Sequence, residues 1–288
     1  MLDLKKLALG RSEVDRNAVA RTEQLPDLPG QVLLVRAGDI LMSDYEIQLF
    51  TPESLPQAEL CYLGSDEKHN YFSNTNSVDV AGDWQPLRNI GTLLSDRDAG
   101  LATSAIALFN WHSTHLVCSR CGGVTEPVNR GWARSCPIDN SQHFPRTDPA
   151  VIVLILNSKD EALLARQRVW PEKQFSVIAG FVEAGETLEA ACIREAGEEI
   201  GLEVADIKYL GSQPWPFPQS LMLAFSATAV TTDITPDGDE IEAAMWLSRS
   251  GLKAACESGE VKLPPHTSIA RQMLDYWYGE ATPQSWTR

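Results

Sequence analysis

The stretch from Gly180 to Leu202, GFVEAGETLEAACIREAGEEIGL, constrains the fold most, because it gathers many carboxylates around one predicted helix. On that helix Glu195, Glu198 and Glu199 follow the i, i+3, i+4 spacing and share one face, where like charges repel. A bound divalent cation removes the repulsion. Hard cations such as Mg²⁺ or Mn²⁺ take oxygen ligands and usually bridge to substrate phosphates, so the face predicts a site for phosphate chemistry.

Most charge runs are solvated acidic faces, and that is the alternative interpretation of this segment. Its local pattern favours a site instead. Gly180 and Gly185 bracket a loop before the helix, and Arg194 lies inside the acidic run. Thr187 suits the helix N-cap, and Gly201 stands where a glycine commonly ends a helix. A narrow apolar stripe for docking on a sheet consists of Leu188, Ala191, Cys192 and Ala196.

The order of these residues resembles the Nudix box of nucleoside-diphosphate-linked hydrolases. The matching positions are Gly180, Glu186, Arg194-Glu195-Ala196, Glu198-Glu199 and Gly201-Leu202. Ala196 is the one departure, because a bulkier aliphatic usually fills that position. The resemblance implies a Nudix α/β/α sandwich with a mixed sheet, and the predicted strand, loop and helix order agrees with it.

A second motif, SQPWPFPQS, follows the box at residues 212–220. Its alternating prolines exclude a central strand and hold the backbone extended, so a stiff loop presents Trp215 and Phe217. Such rings either stack on a flat ligand or fill the core. The string resembles the signature of NADH pyrophosphatases within the Nudix family, which favours the ligand interpretation.

Composition excludes several classes of protein. The 288 residues carry a formal net charge of −15, whereas a general nucleic-acid binder needs a basic surface. No apolar run reaches membrane-spanning length, and the first residues lack a signal-peptide pattern, so we expect a cytoplasmic protein without membrane contact. In that compartment the six cysteines predict thiols or metal ligands rather than disulfides.

The chain divides into three predicted domains. A small α+β domain with a linking helix covers 1–112, a zinc-ribbon-like motif 113–147, and the Nudix hydrolase domain 148–288. Apolar periodicity places the linking helix at 95–112 and a closing helix at about 267–278. Predicted strands of the last domain lie at 151–156, 161–167, 175–181, 220–230 and 243–247.

Three cysteines in the middle segment have zinc-ribbon spacing. Cys118 and Cys121 form a Cys-x-x-Cys turn, and Cys136 follows fifteen residues later. The resembling family has a fourth cysteine, but this chain has Asp139 there, with His143 four residues beyond. Both are acceptable zinc ligands, and Asp139 is favoured because it repeats the spacing of the first pair. The alternative is a degenerate ribbon held by packing alone.

The resemblance also implies roles for individual residues. Glu195, Glu198, Glu199, Glu240 and the backbone carbonyl of Ala179 correspond to ligands of the catalytic cations, while Arg194 pairs with Glu186 and braces the loop. Gly131 occupies a position where relatives have a substrate-contacting glutamate. The positions that match substrate-binding residues are Arg88, Phe144, Phe181, Gln213, Pro214, Trp215, Pro216, Phe217, Pro218, Gln219, Ser220 and Ala270.

Together these motifs predict a homodimeric, metal-dependent pyrophosphohydrolase that splits NAD(H) into NMN(H) and AMP. Removal of an NAD cap from RNA 5′ ends would use the same bond and the same residues. One alternative is a Nudix hydrolase of ADP-ribose or other dinucleotides. The other is a protein- or nucleic-acid-binding module beside an inactive Nudix domain, which the complete set of repelling carboxylates opposes.

Overall fold

The structure, a computed structural model, describes residues 2–3 and 7–287. Its chain forms two compact units. The ribbon unit contains Leu9–Thr147 and Pro214–Ser220. The sandwich unit contains Asp148–Gln213, the chain from Leu221 onward and the described part of residues 1–8. The three domain boundaries drawn from the sequence stay predictions.

The ribbon unit begins with two small sheets. In the first sheet the strand order is β5-β1-β7-β6, with β1 and β7 parallel and the other pairs antiparallel. In the second, β3 pairs with β2, β4 and β8. The strands are β1 (Gly30–Leu33), β2 (Val35–Arg36), β3 (Asp39–Ser43), β4 (Glu46–Ile47), β5 (Leu49–Phe50), β6 (Leu60–Ser65), β7 (Asn70–Asn74) and β8 (Asp83–Pro86).

Two helices follow the strands, α1 (Leu87–Ile90) and the long α2 (Asp96–Thr114). Ser95 caps α2, accepting a hydrogen bond from the backbone N–H of Asp98. Apolar side chains of α2 are buried in one core with those of β1, β3, β6 and β7. The helix predicted at 95–112 is thus confirmed.

The rest of the ribbon unit is a three-stranded antiparallel sheet in the order β11-β10-β9. Its strands are β9 (Glu126–Val128), β10 (Ala133–Ser135) and β11 (Gln142–His143). Short 3-10 helices occur at Ala18–Arg21, Pro52–Ser54 and Asn129–Gly131 in this unit, and at Gln284–Trp286 in the sandwich unit.

The sandwich unit is built on a six-stranded sheet in the order β15-β16-β12-β13-β17, with β14 paired to β12. The strands are β12 (Asp148–Leu156), β13 (Ala162–Gln167), β14 (Ile178–Phe181), β15 (Val204–Trp215), β16 (Ser220–Ala229) and β17 (Ile241–Leu247). The helices are α3 (Leu188–Ile200), α4 (Arg249–Glu257) and α5 (Ile269–Tyr278).

Alternation along β12 explains why helices cover both faces of this sheet. Val151 and Val153 lie in a core with α3, whereas Ile152 and Leu154 lie in a second core with α4 and α5. Successive side chains of a strand point to opposite faces, so a fully apolar strand needs a layer on each side. The predicted α/β/α sandwich is confirmed, as are the closing helix and the strands predicted at 151–156 and 161–167, which pair antiparallel as β12 and β13.

Candidate functional site

The acidic helix α3 begins and ends as its sequence predicts. Thr187 Oγ1 accepts a hydrogen bond from the backbone N–H of Ala190 at 3.2 Å. Gly201 ends the helix with φ 68°, a left-handed conformation that favours glycine. In the preceding loop Gly185 has φ 88° for the same reason. These local features fix the helix directly after β14.

Arg194 ties the loop to the helix. Its Nε and Nη2 donate to the two carboxylate oxygens of Glu186 at 2.8 and 2.9 Å, and Nη2 also donates to the carbonyl of Phe181. Its Nη1 donates to Glu195 Oε1 at 2.8 Å and to Glu198 Oε2 at 3.1 Å. These bonds from Arg194 lower the pKa of Glu186 to about 2, so that carboxylate is ionised at neutral pH.

Glu195 lies directly over Gly180 on β14. A Cβ atom at Gly180 would lie 1.9 Å from the Glu195 carboxylate, so any larger residue would displace that side chain. Glu195 is only 8% exposed. Burial, followed by the charge of Glu198, raises its pKa, although Arg194 opposes the shift. The glycine at position 180 therefore has a steric reason in this chain.

Glu199 is the most deeply buried carboxylate of the cluster, with 4% of its surface exposed. Its Oε2 has no hydrogen-bond partner among the described residues. Burial, with the charges of Glu195, Glu240 and Asp237, raises the pKa of Glu199 to about 8. A buried carboxylate oxygen without a donor, next to other carboxylates, fits a hard cation as its missing partner.

The loop before β17 brings two more carboxylates to this cluster. Glu240 Oε1 accepts a hydrogen bond from Gln167 Nε2 at 2.8 Å. Asp237, which sequence reasoning missed, accepts from the backbone N–H groups of Asp239, Glu240 and Ile241. Its own N–H donates to the carbonyl of Glu199 at 3.1 Å. Asp237 therefore fixes the loop that carries Glu240, and its signal in the sequence is an aspartate followed by glycine.

Ala179 precedes Gly180 on β14 and pairs with Ile152 of β12. The five groups predicted to hold the catalytic cations thus come from α3, β14 and the loop before β17. Oxygen donors alone, several of them carboxylates, match the preference of Mg²⁺ and Mn²⁺ and not that of softer metals. The residues present therefore fit divalent cations.

In the ribbon unit, the segment Pro214–Ser220, here called the aromatic loop, presents its two rings to one arginine. The loop predicted at 212–220 is shorter in the structure, because β15 continues to Trp215 at the edge of the sheet and β16 begins at Ser220. The Arg88 guanidinium carbon lies 4.4 Å from the centroid of Phe217 and 5.6 Å from that of Trp215. The two rings are perpendicular, with centroids 5.0 Å apart. Both are half-buried and pack against the core of this unit, so each has one packed side and one accessible side. Arg88 and the loop, predicted together, do lie together.

Asn110 of α2 holds the aromatic loop in place. Its Nδ2 donates to the carbonyls of Pro216 and Pro218 at 3.0 and 3.1 Å. Prolines have no N–H, so this loop depends on outside donors for its carbonyls. Beside it an open cleft of about 790 Å³ is lined by Arg88, Phe217 and the end of α2. Sequence reasoning did not identify Asn110, since it lies more than one hundred residues from the loop.

The other predicted substrate residues differ in accessibility. Phe144 in the ribbon unit and Phe181 in the sandwich unit are 62% and 59% exposed, as rings that stack on a ligand must be. Gln213 is fully buried and donates through Nε2 to the carbonyl of Thr267, while its Oε1 has no partner among the described residues. The N–H of Ala270 donates to Ser268 Oγ, which caps α5.

The three ribbon cysteines and Asp139 form one cluster. One ligand atom from each of Cys118, Cys121, Cys136 and Asp139 lies within 4.8 Å of all the others. Two backbone turns of the same type create it. In each turn, the N–H of the first cysteine donates to the carbonyl five residues on, and the carbonyl of that cysteine accepts from the N–H four residues on. Asp139 occupies in the second turn the place of Cys121 in the first.

His143 is linked to the cluster through a hydrogen bond with Ser141, whereas Asp139 belongs to the cluster itself. Ser141 Oγ donates to Asp139 Oδ1 at 2.6 Å and lies 3.1 Å from His143 Nε2 and 3.3 Å from Cys118 Sγ. The neighbouring Ser141 hydroxyl lowers the pKa of Cys118 to about 6, and the hydroxyl and backbone N–H of Ser141 lower that of Asp139. The pKa of Cys121 is raised to about 11, because the hydrogen bond with Cys136 and burial outweigh the backbone N–H of Gly123. Three thiols and a carboxylate in this arrangement fit a tetrahedral zinc ion.

Gly131, where the resemblance placed a glutamate in some relatives, has no room for a side chain. It has φ 88°, and a Cβ atom would lie 2.3 Å from the Cβ of Cys61. A glutamate at this position would therefore need a different local backbone.

Comparison with known proteins agrees with both motifs. Residues 146–272 match the NUDIX domain, and residues 113–144 match the NADH pyrophosphatase zinc ribbon domain. The NAD-capped RNA hydrolases NudC of Mycobacterium bovis and Mycobacterium tuberculosis are each 43% identical over 208 residues, covering 69% of this chain and 66% of the relative. The NAD-capped RNA hydrolase NUDT12 of Homo sapiens is 37% identical over 196 residues, covering 64% of this chain and 42% of the relative.

The chain contains a Nudix domain and, in addition, a zinc ribbon domain of the NADH pyrophosphatase type. The resemblance seen in the two motifs is thereby confirmed. The match spans just under two thirds of the length of the mycobacterial relatives. No helix in the described part of the chain is long and apolar enough to cross a membrane.

Proposed function

We propose that this protein is a metal-dependent pyrophosphohydrolase that cleaves NAD(H) to NMN(H) and AMP, and that it also removes NAD caps from RNA 5′ ends. The observation that carries the proposal is the unpartnered Glu199 carboxylate, buried beside Glu195 on the Nudix helix. A buried carboxyl oxygen without a partner is costly, and a bound cation would supply the partner that the ionised form of Glu199 lacks. The names of the relatives support the substrate.

In this proposal Glu195, Glu198, Glu199, Glu240 and the carbonyl of Ala179 hold Mg²⁺ or Mn²⁺. The bound cations would neutralise charge on the pyrophosphate and activate a water. Arg194 holds Glu195 and Glu198 in place through its Nη1 and keeps the loop closed through Glu186. Gly180 leaves the space that the Glu195 carboxylate occupies.

Recognition of the substrate falls to the aromatic residues. The rings of Trp215 and Phe217 are held rigid by Asn110 and Arg88 and suit a flat nicotinamide or adenine ring. Phe181 and Phe144 add two exposed rings. The remaining residues of 213–220 and the backbone of Ala270 complete the proposed substrate contacts. A hydrolase of ADP-ribose would not need a second stacking surface, which is why it is the less favoured reading.

A panel of substrates tests this function. NADH, NAD⁺, ADP-ribose, diadenosine polyphosphates and NAD-capped RNA are assayed side by side with Mg²⁺ and with Mn²⁺. NADH and NAD⁺ should be cleaved faster than ADP-ribose, which has the same pyrophosphate without the nicotinamide. One stacked ring contributes about 1 kcal/mol, or about fivefold in affinity. Equal rates for ADP-ribose and NADH would move the assignment to the alternative, and no hydrolysis at all would favour a binding module.

The variant Trp215→Ala separates recognition from chemistry. It should reduce the preference for NADH over ADP-ribose while leaving the dependence on divalent cations intact. The matched control is Tyr45→Ala, since Tyr45 is an aromatic residue of the same unit that is 94% exposed and outside the loop. An unchanged preference in Trp215→Ala would remove the aromatic loop from recognition.

We further propose that the ribbon binds one structural zinc ion through Cys118, Cys121, Cys136 and Asp139. We also propose a cytoplasmic location, because the six cysteines of the chain are free and thiols persist in reducing compartments.

Finally, we propose a two-fold homodimer, the commonest symmetric assembly. Light scattering at micromolar concentration should give about twice the chain mass of 31.7 kDa. A monomer with full activity would exclude a site shared between subunits.

A further inference from the structure

Two arginines of the ribbon unit share one tryptophan ring. The Arg21 guanidinium carbon lies 3.5 Å from the centroid of Trp132, and that of Arg16 lies 5.8 Å from it. A third arginine, Arg130, lies two residues before Trp132 in the chain. Its Nη2 donates to the carbonyl of Glu23, two residues after the 3-10 helix that ends in Arg21, so Arg130 contacts the same segment. We call these three arginines and Trp132 the arginine cluster.

The arginine cluster has no neutralising carboxylate. Within residues 2–3 and 7–287, no Asp or Glu side chain lies at ion-pair distance from Arg16, Arg21 or Arg130. The buried Nε of Arg21 has no hydrogen-bond partner in that part of the chain. Burial and the nearby charge of Arg16 lower the pKa of Arg21. Stacking stabilises one cation on an indole, but a second one beside it adds repulsion.

A second arginine and tryptophan pair in the same unit shows a different arrangement. Arg36 lies 4.3 Å from the centroid of Trp84 and also forms an ion pair with Asp39 at 4.0 Å. There a single cation meets one ring and one carboxylate. The arginine cluster has three cations, one ring and no carboxylate, in a chain whose net charge is −15. Excess positive charge is therefore concentrated at this place against the overall charge.

We propose that the arginine cluster binds the phosphodiester backbone of single-stranded RNA that follows the cap. Guanidinium groups match phosphate oxygens with two donors each, and indole and guanidinium planes stack on unpaired bases. A phosphate would give Arg16 and Arg21 the shared anion that the protein does not supply. The inference rests on the proposed function for its ligand, since an NAD-capped RNA brings one such phosphate per nucleotide.

The test uses the double variant Arg16→Gln with Arg130→Gln in the full chain. Arg16 is exposed and makes no hydrogen bond within the described residues, whereas Arg21 packs on Trp132 and is left unchanged. The quantities are kcat/KM for an NAD-capped single-stranded RNA and for free NADH, at several salt concentrations. We expect about a tenfold loss for the capped RNA, with a weaker salt dependence, because two charge-assisted contacts are removed. The value for NADH should stay the same.

Arg36→Gln is the matched control and should leave kcat/KM unchanged for both substrates. An equal loss for capped RNA and NADH, or an unchanged value for capped RNA, would overturn the proposal. If the double variant unfolds at a lower temperature than the wild type, the single variant Arg16→Gln gives the same test. Arg16→Lys keeps the charge, so its kcat/KM for capped RNA should lie between those of Arg16→Gln and the wild type.

Binding of uncapped RNA keeps this test separate from that of the hydrolase. Fluorescence anisotropy of a labelled single-stranded RNA without a cap should show weaker binding by the double variant even if no pyrophosphate is cleaved. Equal binding by the wild type and the variant would refute the RNA surface while leaving the proposed function untouched. If poly-glutamate displaces the RNA at equal charge concentration, the surface is a site for acidic proteins and the proposal fails.

Discussion

The two candidate metal sites of this chain differ in how their surroundings shift the pKa of the ligand groups. On α3 the carboxylates are buried beside one another, and the pKa of Glu199 is raised to about 8 by burial and neighbouring charges. In the ribbon, Ser141 lowers the pKa of both Cys118 and Asp139, whereas the pKa of Cys121 is raised to about 11, since the hydrogen bond with Cys136 and burial outweigh the backbone N–H of Gly123. The first site thus disfavours the charged form of Glu199 until a cation arrives, whereas the second already stabilises the charged forms of Cys118 and Asp139.

This contrast suits two different uses of a metal. Ribbon ligands that two backbone turns already hold together bind zinc with little rearrangement, as a structural site requires. Carboxylates that repel one another retain a strong field for cations that arrive with a phosphorylated substrate. The following predictions run from the largest expected effect to the smallest.

Glu199→Gln should lower turnover by two to three orders of magnitude, corresponding to about 2–4 kcal/mol of transition-state stabilisation. The substitution keeps the shape of the side chain and removes a charge that holds cations. Steady-state rates with Mg²⁺ and Mn²⁺ give the measurement, and Glu189→Gln on the exposed part of the same helix is the control. Turnover near that of the wild type would remove this face of α3 from the mechanism.

Asp139→Ala should weaken zinc binding by more than about 100-fold, beyond the range typical for the loss of a group that only hydrogen-bonds a ligand. Elemental analysis of the wild type should give one zinc per chain, and competition with a chromogenic chelator gives the affinity. His143→Ala should retain the metal. The reverse result would make His143 the fourth ligand, and a wild type without zinc would mean a degenerate ribbon.

The stability of the Mg²⁺-free and Mn²⁺-free protein should fall as pH rises from about 4.5 to about 8. Glu199 has its ordinary pKa of 4.5 when unfolded and about 8 when folded, so its stabilising effect is complete at low pH and is lost through that window. The loss is at most about 1.4 kcal/mol per pH unit.

Thermal unfolding with zinc retained measures this pH dependence. Glu199→Gln should be more stable than the wild type at pH 8 and equal to it near pH 5. Added Mg²⁺ should not raise the unfolding temperature of this variant. A difference that does not change with pH would mean that Glu199 is ionised in the metal-free protein, and would break the contrast between the two sites.

Ser141→Ala should weaken zinc binding by about tenfold, the lower end of the effect of losing a partner of metal ligands. Its hydroxyl lies at hydrogen-bond distance from both Cys118 and Asp139. The pH at which half of the zinc is released should rise, because the thiol loses the bond that favours its ionised form. The neighbouring variant Asn140→Gly, at a residue with φ 56°, should leave the affinity unchanged.

Local sequence determined much of this protein. The cap at Thr187, the left-handed glycine at Gly201 and the spacing of the glutamates specify α3 and its carboxylate face without any distant contact. Short apolar runs identified most strands of the sandwich unit, and repeated cysteine spacing identified the ribbon turns and the place of Asp139. Such features depend on backbone periodicity over a few residues, which a sequence displays directly.

Only the tertiary structure decided which distant residues meet. Asn110 holds a loop more than one hundred residues away, and Arg16 and Arg21 meet Trp132 across a similar separation. Asp237 supports Glu240 by accepting a hydrogen bond from its backbone N–H, a contact that depends on the fold of the loop before β17. The strands of the N-terminal region were too short for periodicity to define. Contacts of this kind depend on how whole layers pack, and no local pattern records that choice.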